Sequence, residues 1–236
     1  MRRRFFVDQV HSGKAEIQGE EARHLTRVLR VEPGQRYEIS DNQNVYLAEI
    51  ETARKEHVVF RTLEKIEPPP HPADVTLCAA LVKFDHFEWM IEKATELGVT
   101  EIVPVEAVRT EKGLLHAAHQ RVERWRRIAL EASQQSRRAI LPQIQEPEKL
   151  AGVLKRNLPL KLALDEEGGA PLVSALKKSV PHGAVLVGPE GGWTEEERSE
   201  FLALGWTQIS LGPLILRAET AAIAALAVIQ AEWLVH

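Results

Sequence analysis

Residues 211–226 read LGPLILRAETAAIAAL, and the rest of the chain is understood from this stretch. Gly212 and Pro213 break regular structure. The apolar run Leu214-Ile215-Leu216 follows, then Arg217 and Glu219, then an alanine-rich segment. Thr220 has the chemistry of a helix N-cap, because its hydroxyl can accept a hydrogen bond from an amide of the first turn. Residues 221–234 are apolar around almost their whole circumference, which predicts a buried helix. Charges at the mouth of a buried helix have two readings. Either Arg217 and Glu219 pair with each other and cap the helix, or an apolar loop holds a ligand and the two charges act on a substrate.

Upstream, Val187-Gly-Pro-Glu-Gly-Gly-Trp-Thr194 contains a second Gly-Pro turn. Each turn directly follows a predicted strand, at residues 184–187 and 208–211. Ligands of open α/β sheets bind at the carboxyl ends of strands, and glycine lets the backbone approach a ligand with no Cβ in the way. Thr194 with Glu197 predicts a capping box and a helix start just after the first loop. The P-loop pattern and the G-x-G-x-x-G dinucleotide pattern are both absent. A glycine-rich loop alone is equally a tight β-to-α connection. Two such loops with Arg217 beside one of them favour a ligand site.

The remaining pattern from residue 74 onward is an α/β alternation. Val75 to Val82 is a continuous apolar run, as in a strand buried on both faces. A helix is predicted over residues 85–97, with Phe87, Met90, Ile91, Ala94 and Leu97 on one face and Gly98 as its stop. A strand follows at 102–105, with Pro104 favouring an end or edge position. A helix over 119–136 turns Val122, Trp125, Ala129 and Ala132 inward. A further strand is expected at 160–164, and helices at 148–156, 171–177 and 195–204. Residues 1–66 read instead as short strands at 37–40, 45–50 and 57–63, with turns at Pro33-Gly34 and Asp41-Asn42 and one helix over 19–29. On that helix Arg23, Arg27 and Arg30 share a face. This is the pattern of a small β-barrel. Between the two parts, residues 67–73 carry four prolines within five residues, a stiff connector. The expected domains are therefore 1–66 and 74–236, joined by 67–73.

Composition narrows the function classes. The chain has 236 residues, 44% of them hydrophobic, enough for a real core. A run of 18 apolar residues is lacking, so no membrane span is expected. The opening residues have arginines but no apolar signal-peptide core. The single cysteine, Cys78, lies in an apolar run and reads as a small buried hydrophobe; a cytoplasmic protein is expected. Its apolar neighbours and the lack of a G-x-S-x-G elbow argue against nucleophilic catalysis. The nine histidines show no metal-binding spacing, and the His116/His119 pair has no evident carboxylate or cysteine partner, so no metal is expected. Net charge is −4, with the acid excess concentrated after residue 146. A polyanion would therefore meet the earlier portions first. There Arg2, Arg3 and Arg4 precede Phe5 and Phe6, a pattern able to contact phosphates and stack on bases. Arg121, Arg124, Arg126, Arg127, Arg137 and Arg138 crowd one helix and its exit. Singly each is a solvated charge paired with Glu123 or Glu131; as a set they favour an RNA-contacting surface.

Taken together, GPEGGWT, LGPLILRAETAAIAAL, FEWMIEKATELGV, RWRRIALEASQQS and HLTRVLRVEPG resemble the SPOUT, or α/β-knot, methyltransferases. Within them they resemble the RsmE family, which methylates N3 of a uridine in small-subunit ribosomal RNA. The resemblance covers nearly the whole chain. It implies a trefoil-knotted C-terminal α/β domain with a mainly parallel sheet, behind an N-terminal PUA-like β-barrel. It also implies S-adenosylmethionine as cofactor, a homodimer, and small-subunit rRNA, within a ribosomal particle, as partner. By position, the cofactor cradle would be Leu164, Gly188, Glu190, Gly192, Leu211, Gly212, Leu216 and Ala218. Arg4, His24, Arg27 and Arg30 would contact RNA, and Arg109, Gln135 and Arg138 would border the active site. Two positions depart from the family. Leu214 stands where an arginine is usual, and Arg137 where glycine is frequent. In this reading Arg217 stabilises the uracil anion. Glu219 is general base or orients Arg217, with Glu190 as second choice for the base. The alternatives are a non-catalytic RNA-binding assembly factor of the same fold, and an enzyme that holds another nucleotide in the glycine loops.

Overall fold

The computed structural model describes residues 3–68, 73–176 and 182–234. They form two compact units, Met1–His71 with Ser133–Leu141, and Pro72–Ala132 with Pro142–His236. The prolines at 69, 70 and 72, on which the stiff connector was read, lie outside the described residues.

The first unit holds β1 (Arg4–Phe6), β2 (Lys14–Gln18), α1 (Gly19–Arg27), β3 (Arg36–Ser40), β4 (Val45–Arg54) and β5 (His57–Ile66). The strands make one sheet in the order β1-β3-β4-β5-β2, with β1 parallel to β3 and every other pairing antiparallel. Register shifts in the β4–β5 ladder, at Leu47/Ala48 and Ile50/Thr52, bend the long strands. The sheet curls into a half-barrel around Leu25 of α1, Ile39, Ile50, Val58 and Phe60. Phe5 and Phe6 are core residues rather than stacking platforms; the Phe5 ring lies 5.1 Å from Tyr37 and 6.2 Å from Phe60. Arg4 is only 3% exposed, bound to Glu38 at 2.8 Å and donating to the Arg137 carbonyl at 2.6 Å. Its expected RNA contact is therefore corrected to a structural ion pair. Arg137 itself has φ +59°, left-handed backbone that favours glycine. Its guanidinium pairs with Glu38. Helix α1 stops at Arg27, and Arg30 lies past its end at φ +51°. The expected stripe of Arg23, Arg27 and Arg30 is thus interrupted, and Arg23 is bound to Glu56 at 2.7 Å.

The second unit begins with β6 (Asp74–Ala80), α2 (Phe84–Glu96), β7 (Glu101–Glu106), α3 (Leu114–His119) and α4 (Val122–Ser136), whose last turn belongs to the first unit. Then come β8 (Gln143–Ile144), β9 (Glu148–Lys149), α5 (Leu150–Leu154), β10 (Lys161–Leu164), β11 (Ala170–Pro171) and α6 (Leu172–Ala175). Finally come β12 (His182–Val187), α7 (Glu195–Ala203), β13 (Thr207–Ser210) and α8 (Ala218–Leu234). All pairings are parallel, in the order β11-β13-β10-β12-β6-β7-β8, with β9 also on β7. Apolar residues of β6 alternate between two cores. Leu77 and Ala79 face Phe87, Trp125 and Leu226, while Cys78 and Ala80 face Val153, Phe201 and Trp206. Burial on both faces explains the unbroken apolar run read in the sequence. After β12 the chain crosses back over β10 to reach β13, which brings its last loop and α8 to the middle of the sheet edge.

Some elements differ from expectation. The helix expected over 119–136 is α4, which starts at Val122 after a separate short helix, α3, not expected from the sequence; the helix over 148–156 opens with two residues of strand. The helix expected at 171–177 is the short α6, and residue 177 lies outside the described residues. Helix α8 starts at Ala218, where the Arg217 carbonyl accepts the Ala221 amide at 2.8 Å. Thr220 is consequently an exposed residue inside the first turn, not a cap. Nor is α8 buried all round. Ala222, Ala225, Leu226 and Ile229 are buried, while Ile223, Ala224 and Ala227 are half-exposed. The sheet and the two neighbouring helices α2 and α6 cover only part of an apolar cylinder.

Candidate active site

The carboxyl ends of β10, β12 and β13 converge on one cavity of about 600 Å³. Every predicted cradle residue lines it: Leu164, Gly188, Glu190, Gly192, Leu211, Gly212, Leu216 and Ala218. Gly188 is there for space, since a Cβ would sit 3.0 Å from the Trp193 ring. Gly192 (φ +70°) and Gly212 (φ +130°) have the left-handed backbone that favours glycine. Trp193 Nε1 in turn donates to the Leu164 carbonyl at 2.8 Å, so the loop after β12 is tied to the end of β10. The Thr194–Glu197 capping box forms as read, with bonds of 2.9 and 3.2 Å. Glu197 also accepts the Val108 amide at 2.8 Å. Arg109 donates to the Gly191 carbonyl at 2.6 Å, bracing the glycine loop from outside.

A buried ion pair anchors the other side. Asp165 accepts from Arg198 Nε at 2.7 Å and from Gln208 Nε2 at 3.1 Å, and it also caps the Glu167 amide at 3.0 Å. The Asp165 bond holds the Arg198 guanidinium above the ordinary arginine range. Neither residue stood out in the sequence, because the partners are 33 positions apart.

Arg217 and Glu219 part company. Arg217 is exposed on the cavity wall, and among the described residues it has no ion-pair or side-chain hydrogen-bond partner. Glu219 is buried behind the wall. The two do not pair, so the capping alternative is not realised. The neighbour of Glu219 is His86, whose Nδ1 lies 3.5 Å from Glu219 Oε1 and 3.7 Å from Glu190 Oε1. His86 was not singled out in the sequence. The available signal was its place in the first turn of α2, directly after β6 and on the same sheet edge as both Gly-Pro loops. Leu214 is 79% exposed at the cavity mouth and brings no charge; Lys83 is a second cation on the wall.

The other predicted contacts are dispersed. In the first unit His24, Arg27, Arg30 and Gln135 are exposed, while burial pushes Arg138 down to about 10, still a cation at neutral pH. Arg121 and Arg124 both grip Glu88, at 3.0 and 2.7 Å, and Arg126 pairs with Glu123 and Glu146. Those helix arginines are largely engaged. No group of three or more His, Cys, Asp or Glu suited to a metal occurs among the described residues. Nor is any described helix long and apolar enough to cross a membrane.

An all-parallel sheet that crosses back on itself, with a glycine-lined cavity at its carboxyl edge, defines a SPOUT methyltransferase domain. Residues 69–230 match the family described as RNA methyltransferase domain, and residues 17–63 match RNA methyltransferase PUA domain. Ribosomal RNA small subunit methyltransferase E of Synechocystis sp. is 39% identical over 88% of this chain and 70% of its own length. That of Bacillus subtilis is 34% identical over 90% and 88%. The crystal structure of the Neisseria gonorrhoeae protein of the same name, bound to S-adenosyl methionine, superposes with a TM-score of 0.91 at 28% identity, over 99% of this chain and 98% of that one. The chain belongs to the ribosomal RNA small subunit methyltransferase E family.

Proposed function

We propose that this chain transfers a methyl group from S-adenosylmethionine to N3 of a uridine in small-subunit ribosomal RNA. The observation that carries the reading is an exposed Arg217, unpaired among the described residues, on the wall of a glycine-lined cavity at the sheet's carboxyl edge. The cavity, about 600 Å³, is of the size that small-molecule cofactors occupy. Its residues fit the cofactor. Leu211, Leu214, Ile215 and Leu216 offer apolar surface to an adenine, the open backbone at Gly188 and Gly212 offers amides and carbonyls, and Glu166 and Glu190 offer carboxylates to hydroxyl and ammonium groups. When bound, S-adenosylmethionine supplies an electrophilic methyl carbon and keeps on its sulfur the electron pair of the bond that breaks.

The protein's task is then positioning and charge. Uridine N3 carries a proton at neutral pH and must lose it. Arg217 beside the uracil carbonyls stabilises the anion. Glu219 serves as base or as orienting group, with Glu190 second. Its burial against His86 favours the orienting role. Residues 1–66 form the RNA-binding PUA-like domain, 67–73 the linker and 74–236 the methyltransferase domain. His24, Arg27, Arg30, Gln135 and Arg138 contact the rRNA, and Arg109 acts through the glycine loop it braces. The half-exposed apolar face of α8 serves a homodimer, and the substrate is an assembling ribosomal particle in the cytoplasm. Calorimetric titration with S-adenosylmethionine tests the cofactor step; saturable binding is expected, and no heat at millimolar cofactor would sink the reading.

A further inference from the structure

His86 forms part of the cavity wall from the first turn of α2. Its Nδ1 faces Glu219 and Glu190, and its Nε2 lies 3.8 Å from Asp85 Oδ2. Nδ1 and Glu219 Oε2 are both buried, and among the described residues neither has a hydrogen-bond partner. Buried polar atoms left open are costly and call for an explanation. Here two occur on adjacent side chains beside the cavity that also exposes Arg217. The charged groups around the ring are Asp85 on its own helix, Lys83 just before it, Glu190 from the loop after β12, and Arg217 and Glu219 at the start of α8.

We infer that His86 is the proton acceptor of the methyl-transfer reaction, and that Glu219 is the positioning residue that orients it. The role rests on the functional reading above. Two carboxylates facing Nδ1 favour the tautomer with its proton on Nδ1, which leaves the lone pair on Nε2. The N3 proton of the uridine passes to Nε2. The electron pair left on N3 is then free to bond the methyl carbon, while Arg217 meets the charge on the uracil carbonyls. The imidazolium is held between Glu219 and Glu190 and returns its proton to water past Asp85, which is exposed. His86 and Arg217 thereby have separate tasks, and the buried carboxylate of Glu219 need not itself reach the base.

The competing role is a staple, since α2 packs on α8 at this point. Wild type, His86→Gln, His86→Ala and Glu219→Gln are compared on unmethylated small-subunit particles. The readouts are nucleoside analysis of the product, kcat across neutral pH, cofactor affinity by calorimetry, and melting temperature. His86→Gln is expected to lower kcat by about 100-fold or more, to abolish the fall in rate on the acidic side, and to leave cofactor affinity unchanged. Added imidazole is expected to restore part of the rate to His86→Ala. Glu219→Gln should lower kcat less and displace the acidic limb rather than remove it. A His86→Gln enzyme with near wild-type kcat and an intact acidic limb overturns the role. So does a slow enzyme that melts early, keeps its acidic limb and gains nothing from imidazole, which identifies a staple. If wild type itself makes no N3-methyluridine, the functional reading fails and His86 loses its role with it.

Discussion

At the level of single residues, the site separates two charges that sit two positions apart. Arg217 faces the cavity, unpaired among the described residues, and Glu219 is buried against His86. A guanidinium that acts on charge developing at the uracil should matter to the chemical step alone. Arg217→Ala is expected to lower kcat by about 100- to 1,000-fold while cofactor affinity measured by calorimetry stays within error. Lost binding would instead make the residue part of the cradle. The same scale shows what a sequence hides. Arg4 and Arg217 look alike as letters. One is locked to Glu38, 34 residues away, and the other is exposed on the cavity wall. Pairing across such a separation has no local signature, so the RNA role read for Arg4 could not be excluded from the sequence. His86 was missed for the same reason, because its partners come from α8 and the loop after β12. By contrast the glycines and the Thr194–Glu197 cap were legible, since their chemistry is complete within a few residues.

At the level of elements, the cavity depends on how loops are tied to strand ends. Asp165 at the end of β10 is buried, and Arg198 of α7 is its partner. Arg198→Ala strands a buried carboxylate and is expected to cost about 3–5 kcal/mol, read by denaturant unfolding. Cofactor affinity should fall with it as residues 164–167 loosen. In the first unit, burial raises the Glu21 carboxyl above its ordinary value, partly offset by the Gln134 amide at 3.0 Å. A raised carboxyl stabilises fully below its unfolded pKa, and that contribution is lost as pH rises through the folded value. Glu21→Gln should therefore melt higher than wild type at neutral pH, with the gain vanishing in acid; an equal gain at both would show that charge is not the cause. Long periodic elements such as α2 and α4 were readable from their apolar faces. Short ones were not. Strands β8, β9 and β11 have two residues each and exist only because a neighbour offers a ladder to join. Strand β1 was hidden because Phe5 and Phe6 beside three arginines look like a surface motif until the sheet covers them.

At the level of the whole molecule, the α/β alternation announced the second unit, but the back-crossing from β12 to β13 is invisible to periodicity. It followed only from motif resemblance. The apolar helix α8 was read as buried, and its half-exposed face is where the proposed second copy would sit. Ile223→Asp places a charge on that face and should convert a dimer to a monomer in sedimentation; a wild-type monomer would remove the proposed assembly. The central claim, that this chain methylates uridine N3 in small-subunit rRNA, has one direct test. Purified protein is incubated with unmethylated small-subunit particles and methyl-labelled S-adenosylmethionine, and the rRNA is digested for nucleoside mass spectrometry. Label is expected in N3-methyluridine at a single site and is lost in Arg217→Ala; label in another nucleoside, or in none while the cofactor binds, would rule that activity out.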